Sequence, residues 1–117
     1  IIIVLYMISI LVPTLNEADN IPLLIDELKK INFEHELIII DDNSEDNTNQ
    51  IVKKYLSEKI IFLKREAKIR DLSKSIMLGA KKSKFNYILV LDCDLQHEIT
   101  NSNIMYEKII KNQIDIV

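Results

Sequence analysis

Four short apolar runs, Ile8 to Val12, Leu37 to Ile40, Ile60 to Leu63 and Tyr87 to Leu91, recur along the chain. Each is continuous rather than alternating, the pattern of strands covered on both faces and hence of a parallel sheet. Between them apolar positions repeat at three and four: Ile21, Leu24, Ile25, Leu28 and Ile31, then Leu72, Ile76, Met77 and Ala80, with a shorter stripe at Ile51, Val52, Tyr55 and Leu56. That spacing predicts amphipathic helices. Asn20 ahead of Pro22, and the Ser44 to Thr48 segment, supply side chains suited to capping two of them. Ile114 to Val117 reads as the start of a fifth strand. The order β-α-β-α-β-α-β-α-β predicts an α/β fold, an open and mostly parallel sheet with helices on both faces and right-handed crossovers.

At 117 residues the chain is at most one domain, and 48% apolar with 28% charged residues is enough to build a core. Ile1 to Val12 is apolar but falls well short of the ~20 residues a membrane helix needs. It also lacks a basic leader and a small-residue cleavage site. Met7 stands directly before the first strand, so residues 1–6 are expected to be an upstream tail and residues 7–117 the folded part. Because the last strand opens and the chain stops, the expectation is the first part of a larger domain. A net charge of −3 and a pI near 5.4 argue against a nucleic-acid partner. The single cysteine, Cys93, cannot form an intrachain disulfide, and the expected location is cytoplasmic.

The chain has one glycine, which excludes the glycine-rich loops that cradle phosphates in dinucleotide-binding and P-loop proteins. A metal ion or basic side chains would have to hold any phosphate instead. Two strands end in acid, Asp41 and Asp42 after the second and Asp92 and Asp94 after the fourth, and ligands of parallel α/β sheets bind at that rim. Four carboxylates on one rim either rise in pKa or share a cation. In Asp92-Cys93-Asp94 the two acids lie on one side of an extended segment, and hard oxygen ligands suit Mg²⁺ or Mn²⁺. The same pair can equally cap a helix or close a turn. Lys64, Arg65, Lys68, Arg70, Lys74, Lys81, Lys82 and Lys84 form a basic stretch, readable as a solvated face or as anion-binding. His35 reads as structural, His97 as solvent-facing or capping, and Cys93 between two acids as a small, unreactive spacer.

Taken in order, Pro13-Thr14-Leu15-Asn16-Glu17, Asp41-Asp42-Asn43-Ser44-Glu45-Asp46 and Asp92-Cys93-Asp94-Leu95-Gln96-His97 resemble the motifs of family-2 glycosyltransferases. The similarity is to the branch that makes dolichol-phosphate mannose and other polyprenyl-phosphate sugars, and it runs from about Ile8 to Val117. The resemblance implies the nucleotide-sugar-binding, Rossmann-like half of a GT-A fold. It places Pro13, Leu15, Glu17, Ile40, Asp42, Arg70, Asp92, Cys93 and Asp94 around the donor. It further implies that Asp92 and Asp94 serve catalysis by holding Mg²⁺ or Mn²⁺, with Gln96 completing the shell. Leu15 stands where the branch usually has Tyr, and Asp71 and Ser73 stand where it usually has glycines.

The implied reaction is metal-dependent transfer of a sugar, mannose or glucose, from GDP-mannose or UDP-glucose to a polyprenyl or dolichyl phosphate, with inversion. Membrane contact would come from sequence after Val117, at the cytoplasmic face of a membrane. Two other readings stay open: a receiver-type, Mg²⁺-binding signalling domain, whose size and acidic pocket are similar, and a sugar-nucleotide-binding fragment that catalyses nothing.

Overall fold

The computed structural model describes residues 6–94 and 99–112. The four apolar runs become β1 (Ile8–Thr14), β2 (His35–Asp41), β3 (Ile60–Lys64) and β4 (Tyr87–Val90). They alternate with α1 (Ile21–Leu28), α2 (Thr48–Lys53), α3 (Leu72–Lys82) and α4 (Ile99–Asn112). Every strand pairing is parallel, and the sheet order is β3-β2-β1-β4. The expected fifth strand at Ile114 to Val117 lies outside the described residues. Tyr6, grouped above with the upstream tail, packs edge-on against Tyr87 at 5.1 Å and its carbonyl accepts the Tyr106 hydroxyl at 3.0 Å.

Strand order decides between two of the readings. A flavodoxin-like receiver has the order 2-1-3-4-5, in which β3 pairs with β1; here β3 pairs with β2, as in the Rossmann order 3-2-1-4. The receiver reading is therefore corrected. In this order the chain builds outward from β1 in one direction through β3 and then returns to place β4 on the other side. The gap between β1 and β4 at their carboxyl ends is the topological switch point, where open α/β sheets leave a crevice.

The two faces of the sheet are unequal. On one, Ile8, Ile10 and Val12 of β1 and Leu37 and Ile39 of β2 pack with Ile21, Leu24 and Leu28 of α1, Val52 of α2 and Ile99 of α4. On the other, Leu11, Ile38 and Ile40 meet Ile76 and Ala80 of α3. The inward side of α3 differs from the apolar stripe expected from hydropathy: Leu72 is 61% and Met77 58% exposed, while Ser75 and Gly79 are buried. Small residues four apart form the contact because they let the helix come close. A Cβ built on Gly79 would lie 2.7 Å from Cδ1 of Ile40 and 3.2 Å from Cδ2 of Leu11. The lone glycine thus serves helix-to-sheet packing.

The other helices end sooner than their stripes. Ile31 lies beyond α1, and Leu56, beyond α2, is exposed. Asn20 does occupy the N-cap of α1 but makes no capping bond; its amide donates to Glu17 Oε2 at 2.6 Å. Near the amino ends of the two central strands a polar pair is buried on the α3 face. Ser9 Oγ donates to Glu36 Oε1 at 2.7 Å, and the same oxygen accepts the Lys84 N–H at 2.8 Å, which fixes the turn from α3 into β4.

Gly79→Ala sets an overpacking cost of roughly 1 to 3 kcal/mol against a helix-propensity gain of about 1 kcal/mol. Urea unfolding is expected to show a net loss of about 1 kcal/mol for Gly79→Ala and roughly 3 kcal/mol for Gly79→Val. Wild-type stability in the valine variant would rule out the close approach.

Candidate functional site

The carboxyl ends of β1, β2 and β4 and the start of α3 enclose a cleft of about 400 Å³. Pro13, Thr14, Leu15 and Glu17 come from β1 and the loop after it, Asp42 from the end of β2, and Asp92, Cys93 and Asp94 from the segment after β4. Arg70, Asp71, Leu72 and Ser75 close it from the α3 side. Eight of the residues expected around a donor therefore line one cleft. Ile40 does not: its side chain is fully buried in the core beneath Gly79. Gln96 and His97 lie outside the described residues. A second cavity, of about 300 Å³ between β4 and α4, is lined by side chains such as Ile8, Phe33, Leu89 and Met105 and contains no carboxylate, lysine or arginine.

The four rim carboxylates do not face the cleft alike, because neighbouring residues of a strand point to opposite sides. Asp41 is completely buried. It accepts the Thr14 hydroxyl at 2.9 Å, the Ser44 N–H at 2.9 Å and the Ser44 hydroxyl at 2.5 Å. Asp42 faces the cleft, yet its Oδ1 takes Arg65 Nη1 at 2.5 Å and its Oδ2 takes the Asp71 N–H at 2.7 Å. Both side chains of the Asp42–Arg65 pair are nearly buried, so the interaction is charge-assisted and poorly screened. Asp41 and Asp42 are thus held by donors of the chain itself.

Arg65 also answers one half of the basic-stretch question. It is an internal partner of Asp42 and donates to the Ile69 carbonyl at 3.1 Å, holding the segment before α3. Arg70 is more accessible, donating to the Asn43 carbonyl at 3.2 Å and to the exposed Glu45 carboxylate at 3.1 Å.

The loops after β1 and β2 are stitched together by residues with no obvious hydropathy signal. Asn16 and Asn43 adopt φ of 53° and 62°, a region asparagine tolerates better than most residues. The Asn16 side chain accepts the Glu45 and Asp46 N–H groups at 2.8 and 3.3 Å, and its own N–H donates to Ser44 Oγ at 2.8 Å. Asp46 then accepts the Ala18 N–H at 3.3 Å, the Thr48 N–H at 2.9 Å and the Thr48 hydroxyl. The N-cap of α2 is Asn47, whose side chain makes no capping bond; within the Ser44 to Thr48 segment it is Asp46, one residue earlier, that accepts the first N–H of the helix. Although desolvation pushes its carboxyl upward, these donors outweigh it and hold the pKa below the ordinary value of 3.8.

Asp92 and Asp94 are exposed on the cleft wall, with buried Cys93 between them. Burial, then the charges of Glu17 and Asp94, push the Cys93 thiol up to about 12, so it stays protonated at neutral pH and is a poor nucleophile. Among the described residues no three histidine, cysteine or acidic side chains are arranged to hold a metal by themselves. Two hard carboxylates in an open cleft do fit Mg²⁺ or Mn²⁺, which commonly keep other ligand positions for water and phosphate oxygens.

A parallel sheet in this order, with acids at the switch point, is the arrangement of GT-A glycosyltransferases. The chain belongs to glycosyl transferase family 2, whose model it matches over residues 9–117. It is 28% identical over 92 residues to the dolichol-phosphate mannosyltransferase of Pyrococcus furiosus, an alignment covering 77% of this chain and 26% of that protein. Residues 1–349 of S. aureus TarS superpose with a TM-score of 0.79 at 26% identity, covering 92% of this chain and 33% of that one. A mannosyltransferase from Pyrobaculum calidifontis, in complex with GDP-Man and Mn²⁺, shares the fold with a TM-score of 0.73 at 17% identity, over 86% of this chain and 32% of its own. The chain thus spans about a quarter to a third of the length of these proteins.

Asp46→Ala is expected to cost roughly 1 to 2 kcal/mol at pH 7, the usual range for losing a capping side chain. Because the folded-state pKa is depressed, that contribution is fully present above about pH 3.8 and is lost as pH falls through the folded value. Thermal melts of both proteins between pH 2 and 7 should converge at the acid end. A constant difference across that range would contradict the assignment.

Proposed function

We propose that this chain forms the donor-binding part of a metal-dependent glycosyltransferase that moves mannose or glucose from a nucleoside diphosphate to a polyprenyl phosphate, with inversion. The observation that carries this reading is the meeting of Asp92 and Asp94 with Glu17, Asp42 and Arg70 in one cleft at the switch point. Complexes of related proteins support it. TarS, 30% identical over 75% of this chain, has been captured with UDP-GlcNAc, and the Pyrobaculum enzyme with GDP-Man and Mn²⁺. The name of the Pyrococcus relative supports a lipid-phosphate acceptor.

In this reading Pro13 and Leu15 form an apolar wall for the nucleotide. Glu17 and Asp42 accept hydrogen bonds from its N–H or O–H groups, and Arg70 exchanges Glu45 for a phosphate oxygen. Asp92 and Asp94 would hold Mg²⁺ or Mn²⁺, with Gln96 as the further ligand that the resemblance implies. When bound, the ion offsets the negative charge that develops on the departing diphosphate. A phosphate acceptor is already anionic near neutral pH, so attack on the anomeric carbon needs little general-base help, and positioning supplies much of the rate. Lipid contact and a place at the cytoplasmic face of a membrane belong to the same proposal. Among the described residues no helix is long and apolar enough to cross a membrane.

Isothermal titration of UDP and GDP, with and without Mn²⁺, tests the donor site. Saturable, Mn²⁺-dependent binding by the wild type, weakened at least about tenfold in Asp94→Ala, a loss of roughly 1.4 kcal/mol, is the expected result. Transfer of labelled sugar to a polyprenyl phosphate is then measured on the full-length protein. Undiminished transfer by Asp94→Ala would remove the metal role, and binding without transfer would leave a donor-binding module only.

A further inference from the structure

Three buried side-chain oxygens or hydroxyls have no hydrogen-bond partner among the described residues: Glu36 Oε2, Asn49 Oδ1 and Ser75 Oγ. Glu36 sits near the amino end of β2, at the other end of the strand from the cleft, and Asn49 within the short helix α2. Ser75 alone is on the wall of the cleft. An unpaired buried hydroxyl is costly, and alanine would fill the same space without that cost. We propose that Ser75 is a specificity residue whose hydroxyl hydrogen-bonds the base of a bound nucleoside diphosphate.

Placement within the fold selects the base over the phosphates. α3 packs on β1 and β2, whereas Asp92 and Asp94 follow β4, on the other side of β1 from β2. A nucleotide whose diphosphate lies by those carboxylates extends its nucleoside toward Asp42 and the first turn of α3. There Asp71 is already committed: its carboxylate caps Lys74 N–H at 3.2 Å and its own N–H is held by Asp42. Ser75, one turn further along, can both donate and accept, as the mixed edge of a base requires. Its hydroxyl is closed to bulk water, so contact takes a small outward movement of the first turn of α3. A site that pairs a buried polar group with its ligand discriminates strongly against ligands that leave the group unpaired.

This inference rests on the donor-binding reading, and the experiment separates the two. Titrate wild type and Ser75→Ala with UDP, GDP, CDP and ADP in the presence of Mn²⁺, and with Mn²⁺-pyrophosphate. Expected are a fivefold to tenfold weakening, about the worth of one hydrogen bond, for the preferred nucleotide, a flattened preference among bases and unchanged pyrophosphate binding. The ligand-free melting temperature of the variant should equal or exceed that of the wild type, which also establishes that it folds. Equal losses for all four nucleotides, with or without loss of pyrophosphate, would move the contact to ribose or phosphate and overturn the proposal. Unchanged affinities would overturn it as well. If the wild type binds none of the four, the donor-binding reading itself fails and takes this proposal with it.

Discussion

A carboxylate without solvent must be satisfied from inside the protein, and at Asp41 that requirement organises the edge of the sheet on which the cleft is built. Thr14 and Ser44 provide its donors, which ties the end of β1 to the end of β2 and fixes the direction of the loop between β2 and α2. Ser44, once held, accepts the Asn16 N–H, and Asn16 in turn gathers the N–H groups of Glu45 and Asp46. Each donor in this chain is usable because the one before it is in place. The cleft floor is tied together for a local reason, a buried carboxylate whose donors come from the last residue of β1 and from the loop after β2.

Electrostatics then divides the acids by job. Asp41 is saturated by neutral donors, and Asp42 shares a nearly buried ion pair with Arg65. Removing one partner from such a pair leaves an uncompensated charge, which costs far more than the pair contributes. Asp92 and Asp94 are instead exposed on the cleft wall. Burial thus distinguishes the two acids at the end of β2 from the two that follow β4.

Much of this was legible in the sequence, and the reasons are specific. Continuous runs such as Leu37 to Ile40 mark two-sided strands because both faces of β2 are covered, and acids directly after the second and fourth runs necessarily fall on one rim of a parallel sheet. What hydropathy could not show was contact made by small or polar groups. The inward face of α3 is carried by Ser75 and Gly79, neither of which registers as apolar, so the hydropathy stripe runs through the exposed Leu72 and Met77 instead. Arg65 looks like any other member of a basic stretch until the fold brings it, from 23 positions along the chain, to Asp42. Asn16 and Ser44 stand beside motif residues, but their roles depend on two loops meeting in space.

The unequal faces of the sheet reach their limit at β4. Ile88 and Val90 are in register with Ser9 and Leu11 of β1, which are fully buried, yet they are 44% and 41% exposed. Within the described residues β4 is also an edge strand. An apolar flank on an edge strand is the kind of surface through which chains stack edge to edge. The strand that leads to Asp92 and Asp94 therefore carries, among the described residues, an apolar flank on the side of the sheet where its neighbour β1 is buried.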